Sequence, residues 1–221
     1  IQAFTAVEIA HFAEISGMSI YETLKKLKDA GLGSLPGGGA EVFSTDVRKE
    51  LCPEKLSGEE WLNTMRTAHN LGMRSNATML YGHIESHEDR TNHLLKLREL
   101  QDETGGFMSF IPLAFHPKNT DLKDFSSTAG MLDLKMLAIG RLMLDNFDHI
   151  KAFWIMIGIK LAQISLSFGV DDIDGTVAEE RITHSAGAET PEALTVDEIK
   201  SLIEETGREP VERDTLYNRI N

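Results

Sequence analysis

The sequence predicts an α/β protein, a partial (β/α) TIM-like barrel of parallel strands with outer helices, on three observations. Short apolar runs alternate along the 221 residues with segments whose apolar residues recur at helical spacing. Helix starts are marked by local signatures: Ser19-Ile20-Tyr21-Glu22, Ser57-Gly58-Glu59-Glu60 and Ser86-His87-Glu88-Asp89 each have the capping-box pattern. The third observation is Asn76–Glu85, NATMLYGHIE. Ala77, Met79 and Tyr81 alternate as in a short buried strand, and the run closes on Gly82, His83 and Glu85 directly before a capped helix. A strand that ends in polar residues and turns into a helix is one unit of an α/β fold, with its site at the strand's carboxyl end.

The other elements fall in around that unit. Ile1–Ala6 reads as a strand broken off at the start of the chain, followed by a short helix that Gly17 ends. A helix with Ile20, Leu24 and Leu27 on one face follows, stopped by Gly31. Gly33–Glu41, GSLPGGGAE, reads as a ligand-facing loop, with a flexible connection as the alternative. It lacks the Gly-Lys-Ser/Thr of a phosphate loop and the spacing of a dinucleotide fingerprint. The helix begun at Ser57 runs through Trp61, Leu62, Met65, Ala68 and His69 to Gly72, and Arg74 begins the central strand. From Ser86 a helix runs through Leu94, Leu97 and Leu100 to Gly105-Gly106, and Phe107–Pro117 is the next strand. Thr128–Asn146 is expected to be one long helix with Met131, Leu134, Leu137, Ala138, Leu142 and Met143 as its apolar stripe. His149–Gly158 reads as a strand buried on both faces, Lys160–Phe168 as a helix ended by Gly169, and a short strand is expected near Thr176. Thr195-Val196-Asp197-Glu198 opens the last helix, and the polar tail Arg208–Asn221 is expected to fold back over the barrel. The organisation is thus residues 1–194 as barrel and 195–221 as a carboxyl-terminal helix and tail packed on it. A complete (β/α)8 barrel takes about 250 residues. Too few units are present for one, and residue 1 is Ile rather than Met, so the expectation is about strands three to eight of a longer barrel.

Composition excludes several function classes. The net charge of −13 disfavours nucleic acid or an anionic membrane as partner. Ala152–Ile159 is the nearest approach to a membrane span and falls far short of the ~20 residues needed. Ile1–Ala10 has no basic region before its apolar residues, so no signal peptide is expected there. The single Cys52 excludes an internal disulfide and fits a reducing cytoplasm.

Two clusters invite chemistry. His83-x-Glu85-x-His87 offers three metal-ligand types, but the helix start at Ser86 should turn His87 away, and a fourth ligand would have to come from elsewhere. Asp171-Asp172-Ile173-Asp174-Gly175 fails as a calcium loop. Counting Gly175 as its sixth position puts Val170 first and Arg181 twelfth, where carboxylates are required. It is either a solvated acidic loop or a substrate contact. His116 and His184 lie in loops after apolar segments, where imidazoles have reason to face a ligand, whereas His11 and His69 sit within helices as structural or surface residues. Cys52, before Pro53, reads as a small packed residue.

Taken together, IQAFTAVEI, LPGGGAE, NATMLYGHIE, LQDETGGFMSFIPLAFHPKNT, RLMLDNFDHIKAFWIM, FGVDDIDGTV, ITHSAGAETP and GREPVERDTLYN resemble the radical S-adenosylmethionine (SAM) enzymes of menaquinone and deazaflavin-cofactor synthesis. The resemblance runs the length of the chain. FIPLAFHPKNT, with Leu113 and His116, is most like the aminofutalosine synthases of the futalosine route. It implies a (β/α) barrel with a 4Fe–4S cluster at its mouth, held by a CxxxCxxC loop after the first strand, that reduces SAM to a 5′-deoxyadenosyl radical. In aminofutalosine synthases this radical adds to 3-[(1-carboxyvinyl)oxy]benzoate and gives 6-amino-6-deoxyfutalosine. By the same resemblance Thr78, Leu80, Gly82 and Glu85 stand at the family's GxIxGxxE-like pattern that supports the adenosyl group, with Thr78 in place of its first Gly. Glu41 stands where SAM is contacted, and His116, Asn119, Asp172 and Asp174 where substrate contacts are expected. The departure is that Cys52 alone cannot hold a cluster. The chain by itself is therefore expected to be inactive, with its cluster loop upstream, an external electron donor for the whole enzyme, and an open strand edge prone to self-association. Rival readings are a dehypoxanthine futalosine cyclase, a metal-dependent hydrolase built on His83, Glu85 and His87, and a non-catalytic binding module.

Overall fold

The computed structural model describes residues 1–177, 182–187, 190–191 and 193–220. In chain order the elements are α1 Ala6–Ser16, α2 Ile20–Asp29, β1 Ser34–Leu35, α3 Thr45–Leu51, α4 Gly58–Asn70, β2 Arg74–Tyr81, α5 His87–Thr104, β3 Phe107–Ala114, α6 Gly130–Met143, β4 His149–Ala152, α7 Trp154–Ile157, α8 Ile159–Ser165, β5 Asp172–Ile173, α9 Ile182–Ser185 and α10 Val196–Glu204. The five strands form one parallel sheet in the order β1-β2-β3-β4-β5, the wall of a barrel laid open. Gln2 makes a parallel bridge to Ser34, so the strand expected over Ile1–Ala6 exists as a single bridge on the outer side of β1.

Local hydrogen bonds explain why the helices start where they do. Ser19, Ser57, Ser86 and Thr195 each cap a helix in a reciprocal box with the acid three residues on. Thr5 and Glu8 form a further box that the sequence reading passed over. Gly17 and Gly105 end α1 and α5 in the left-handed conformation, which a residue without Cβ adopts freely.

Several expectations are corrected. The run His149–Gly158 is a strand only as far as Ala152. Trp154–Ile157 is a helical turn whose indole N–H donates to Gly175 O at 3.2 Å, and an unbroken apolar run has no period to distinguish the two states. The helix expected over Thr128–Asn146 spans Gly130–Met143, and its inward stripe is Asp133, Met136, Leu137 and Gly140, while Met131 and Leu142 are exposed. The cause is polar and steric. Asp133 accepts a hydrogen bond from buried Tyr81 at 2.8 Å, and Gly140 lets α6 settle on the Phe110 ring, where a Cβ would lie 3.1 Å away. The late short strand is Asp172–Ile173 rather than near Thr176. Helix α3, which has no side-chain cap, was not anticipated.

One face of the sheet meets the helices through Ala77, Met79, Tyr81, Phe110 and Ile150, with Trp61, Leu94, Leu97, Leu137 and Phe147 among the core they join. The other face is largely polar. Register pairs Thr78 with Ile111, Leu80 with Leu113, Ser109 with His149 and Lys151 with Asp172, and Ser109 donates to Asn76 at 3.0 Å. Buried His69 lies between Thr104 and Ser75, and fully buried His93 bonds Thr78 O at 3.0 Å with its ring stacked on Phe43. Burial, with nearby Arg74, depresses the His69 pKa to about 4. Burial likewise depresses that of His93 to about 3, partly opposed by its bond to Thr78. Between these values and the unfolded value near 6.5 the unfolded chain binds more protons, so stability falls as pH falls. Urea unfolding between pH 6.5 and 5 is expected to lose about 1.1 kcal/mol per pH unit for each of the two histidines, approaching the limiting ~1.4 near pH 5. The His69→Gln, His93→Gln double variant should flatten that slope, and an unchanged slope would refute the assignment.

Candidate functional site

Because the strands are parallel, their carboxyl ends share one rim, and the loops after β1 through β5 form it. The first of these, residues 37–42, is pinned at every carbonyl. Thr78 Oγ1 donates to Gly37 O at 2.6 Å and Trp61 Nε1 to Gly38 O at 3.1 Å. The Arg48 guanidinium donates to Gly39 O at 3.4 Å, Ala40 O at 2.6 Å and Val42 O at 3.2 Å, and Leu80 N donates to Glu41 O at 2.9 Å. In a planar trans peptide the next N–H points opposite to the C=O. The amides of residues 38–43 each lie opposite the carbonyl before them; none has an acceptor among the described residues, and Ala40 and Val42 are fully buried.

The three glycines are required by the protein itself. A Cβ at Gly37 would come within 2.8 Å of the β2 backbone, one at Gly38 within 2.9 Å of Thr5, and one at Gly39 within 2.6 Å of Val7. Glu41 has φ of 45°, an uncommon conformation for a residue with Cβ. Its carboxylate, with the side chain 16% exposed, pairs with Lys55 at 2.8 Å.

At the end of β2, Glu85 is wholly enclosed and its carboxylate is spent on its own loop. It accepts from Gly82 N at 2.6 Å and His83 N at 2.8 Å, and pairs with Arg90 at 2.6 Å. His83 is enclosed beside it, with Nδ1 3.1 Å from the carboxylate. Burial lowers the His83 pKa, and Glu85 partly opposes this. Gly82, at φ of 91°, touches the loop after β3, where its Cβ would fall 2.2 Å from Thr128. His87 stands exposed in the first turn of α5, so the His83, Glu85 and His87 set is not gathered, and no three metal-ligand side chains converge among the described residues.

Across the sheet, Asp171–Gly175 is held by ion pairs although Asp171 and Gly175 are exposed. Burial pushes the Asp171 carboxyl up, but contacts from His149, the Ile150 amide and Arg141 outweigh it and hold the pKa below the usual range. Asp172 receives Arg213 at 2.6 Å and the Tyr217 hydroxyl at 2.5 Å. Lys151, with a side chain 8% exposed, lies 3.7 Å from Asp172 and 3.3 Å from Asp174. Tyr217 stacks on His149 at 4.0 Å beneath the Arg213 guanidinium, which places these two residues against β4 and β5. Burial and Asp172 push the Tyr217 phenol far above its ordinary range. A cavity of ≈ 860 Å³ opens between β5, α10 and the tail, with Asp172, Asp174, Ile199 and Arg213 in its lining.

Of the residues singled out from sequence, Glu41, Thr78, Gly82 and Glu85 gather at the end of β2, and Asp172 and Asp174 share Lys151. His116 bonds Met156 O at 2.9 Å and Asn119 bonds Ser185 O at 2.7 Å, so they tie the loop after β3 to α7 and α9. Sequence reasoning missed Arg48, His93, Lys151, Arg213 and Tyr217. Only Lys151 carried a local signal, a lone cation in an apolar run. Cys52 is buried at the end of α3, and burial pushes its thiol up. One thiol of this kind does not fit a 4Fe–4S cluster.

Glu85→Gln is expected to cost about 3 kcal/mol in urea unfolding, because it leaves Arg90 unpaired against a buried loop. Lys55→Met, at the more exposed pair, should cost less than about 1 kcal/mol. Equal losses would show that Glu85 does not anchor the turn.

The sheet, its outer helices and the rim of strand-end loops define a partial (β/α) barrel with its site at the carboxyl ends of the strands. The chain belongs to the family described as the CofH/MqnC C-terminal region, which matches residues 104–221. It is 53% identical, over 100% of its length, to the aminodeoxyfutalosine synthase of Thermus thermophilus and covers 60% of that protein. It is 46% identical over 98% of its length to the Streptomyces coelicolor protein of the same name, covering 59% of it. Against the 5-amino-6-(D-ribitylamino)uracil–L-tyrosine 4-hydroxyphenyl transferase of Methanococcoides burtonii it is 44% identical over 98% of the chain and covers 63% of that protein. The chain thus spans about 60% of the length of these relatives. Among solved structures, methylornithine synthase superposes with a TM-score of 0.65 at 20% identity, covering 88% of this chain and 57% of that one, a likeness of fold.

Proposed function

We propose that these 221 residues are the carboxyl-terminal part of an aminofutalosine synthase, a radical SAM transferase of menaquinone biosynthesis. The observation that carries this reading is the 53% identity spread over the whole chain, against 44% to the tyrosine hydroxyphenyl transferase. When bound, SAM and the cluster would supply a 5′-deoxyadenosyl radical for addition to the enol-ether double bond of 3-[(1-carboxyvinyl)oxy]benzoate, which after rearrangement and loss of its carboxylate carbon becomes 6-amino-6-deoxyfutalosine. The part of this chain is binding and orientation. The Glu41 carboxylate contacts SAM, Thr78 and Gly82 shape the floor beneath it, and Glu85 holds the turn. Asp172, Asp174, His116 and Asn119 face the substrate, in a barrel of residues 1–194 with the helix and tail 195–221 against it. The single Cys52 does not fit the cluster, so in this reading its ligands belong to residues outside these 221. An external electron donor, a cytoplasmic setting, self-association along the open sheet edge and no nucleic-acid partner complete the proposal, the last supported by the net charge of −13. Among the described residues no helix is long and apolar enough to cross a membrane.

The test is product identity. The protein expressed from its own gene, reconstituted anaerobically, is given SAM with 3-[(1-carboxyvinyl)oxy]benzoate, with dehypoxanthine futalosine, or with tyrosine and 5-amino-6-(D-ribitylamino)uracil. Formation of 6-amino-6-deoxyfutalosine in the first mixture alone supports the reading, and turnover only in another replaces it. The 221-residue chain treated with iron and sulfide should release no 5′-deoxyadenosine above background; release would overturn its assignment as the part without a cluster.

A further inference from the structure

Arg48 is 5% exposed and forms no ion pair among the described residues, and its Nε has no partner. A buried guanidinium without a counter-ion is costly, and an apolar side chain of similar size would fill the space at less cost. What the guanidinium alone provides is a planar fork of donors able to hold several carbonyls at once. Here it holds Gly39, Ala40 and Val42 from the rim loop and Leu56 from the segment before α4. Ala40 and Val42 are the residues on either side of Glu41, while the Glu41 carbonyl is taken by Leu80 N on β2. The peptides around Glu41 are therefore held by two donors, Arg48 on α3 and Leu80 on β2. Together they fix the backbone on both sides of Glu41, whose φ is 45°.

We propose that Arg48 is a positioning residue: its desolvated guanidinium clamps the glycine loop so that Glu41 is held ready for a ligand, SAM in the reading above, on which this identification of the ligand rests. It touches no ligand and acts through the carbonyls it holds. Lysine, a compact point charge, cannot replace the fork.

The experiment uses the full protein from its own gene as wild type, Arg48→Met and Arg48→Lys, each checked for fold by far-ultraviolet circular dichroism. Hydrogen–deuterium exchange reads the loop amides without ligand, those of Ala40 and Val42 being shielded by burial in the clamped loop, and equilibrium dialysis reads SAM and the aromatic substrate separately. Arg48→Met is expected to exchange faster at residues 38–43 and to bind SAM about tenfold more weakly, equivalent to about 1.4 kcal/mol, with aromatic-substrate affinity unchanged. Arg48→Lys should recover only part of both effects, and low guanidinium concentrations should restore slow exchange to Arg48→Met. Wild-type loop exchange in a folded variant, or equal loss of affinity for both ligands, would overturn the proposal. If Arg48→Met does not fold, Arg48→Lys carries the same comparisons. Failure of the wild type to bind SAM would sink the functional reading, while the exchange comparison still decides the clamp.

Discussion

The constraint on which the structure turns is a five-stranded parallel sheet whose packed helices lie on one face. Parallel sheets are ordinarily covered on both sides. The inner face here is kept stable by making it polar and satisfying it laterally: Ser109 to Asn76, Lys151 to Asp172 and Asp174, and His149 to Asp171. The tail then returns across β4 and β5 to lay Tyr217 on His149 and Arg213 on Asp172. Polar strand residues that would read as misplaced in a core are what allow this face to line a site.

Sequence reasoning read best whatever is decided within a few residues. Capping boxes close over three residues, so Ser19, Ser57, Ser86 and Thr195 could be read directly, and β2 showed its period of two. It read poorly where a partner comes from far along the chain. Asp133 is inward-facing because of Tyr81, 52 residues earlier, and nothing near Asp133 announces that. Tyr217 finds Asp172 across 45 residues, so a polar tail could be expected to fold back without its anchor being named. Trp154 is helical in part because Gly175 accepts its indole N–H, a contact no apolar run encodes.

The site shows the same division. The glycine loop and the end of β2 stood out as chemistry, but the physical duties differ from the first reading. The glycines give room for Thr5, Val7 and the β2 backbone, and Glu85 secures its own turn. The course of the loop is set by Thr78, Trp61, Arg48 and Leu80, which hold its carbonyls, and those donors come from β2, α3 and α4.

Thr78 joins two of these supports. Its hydroxyl holds Gly37 while its own carbonyl takes the ring of His93 from α5. Glycine loop, central strand and helix α5 are thus riveted at one residue, and the β1–β2 side of the rim behaves as a fixed jaw. In the proposed function, discrimination among substrates would fall to the opposite side, the segment after β3 and the β5 turn. Divergence within the family toward new substrates would be expected to accumulate there, while the fixed jaw continues to serve whatever its members bind in common.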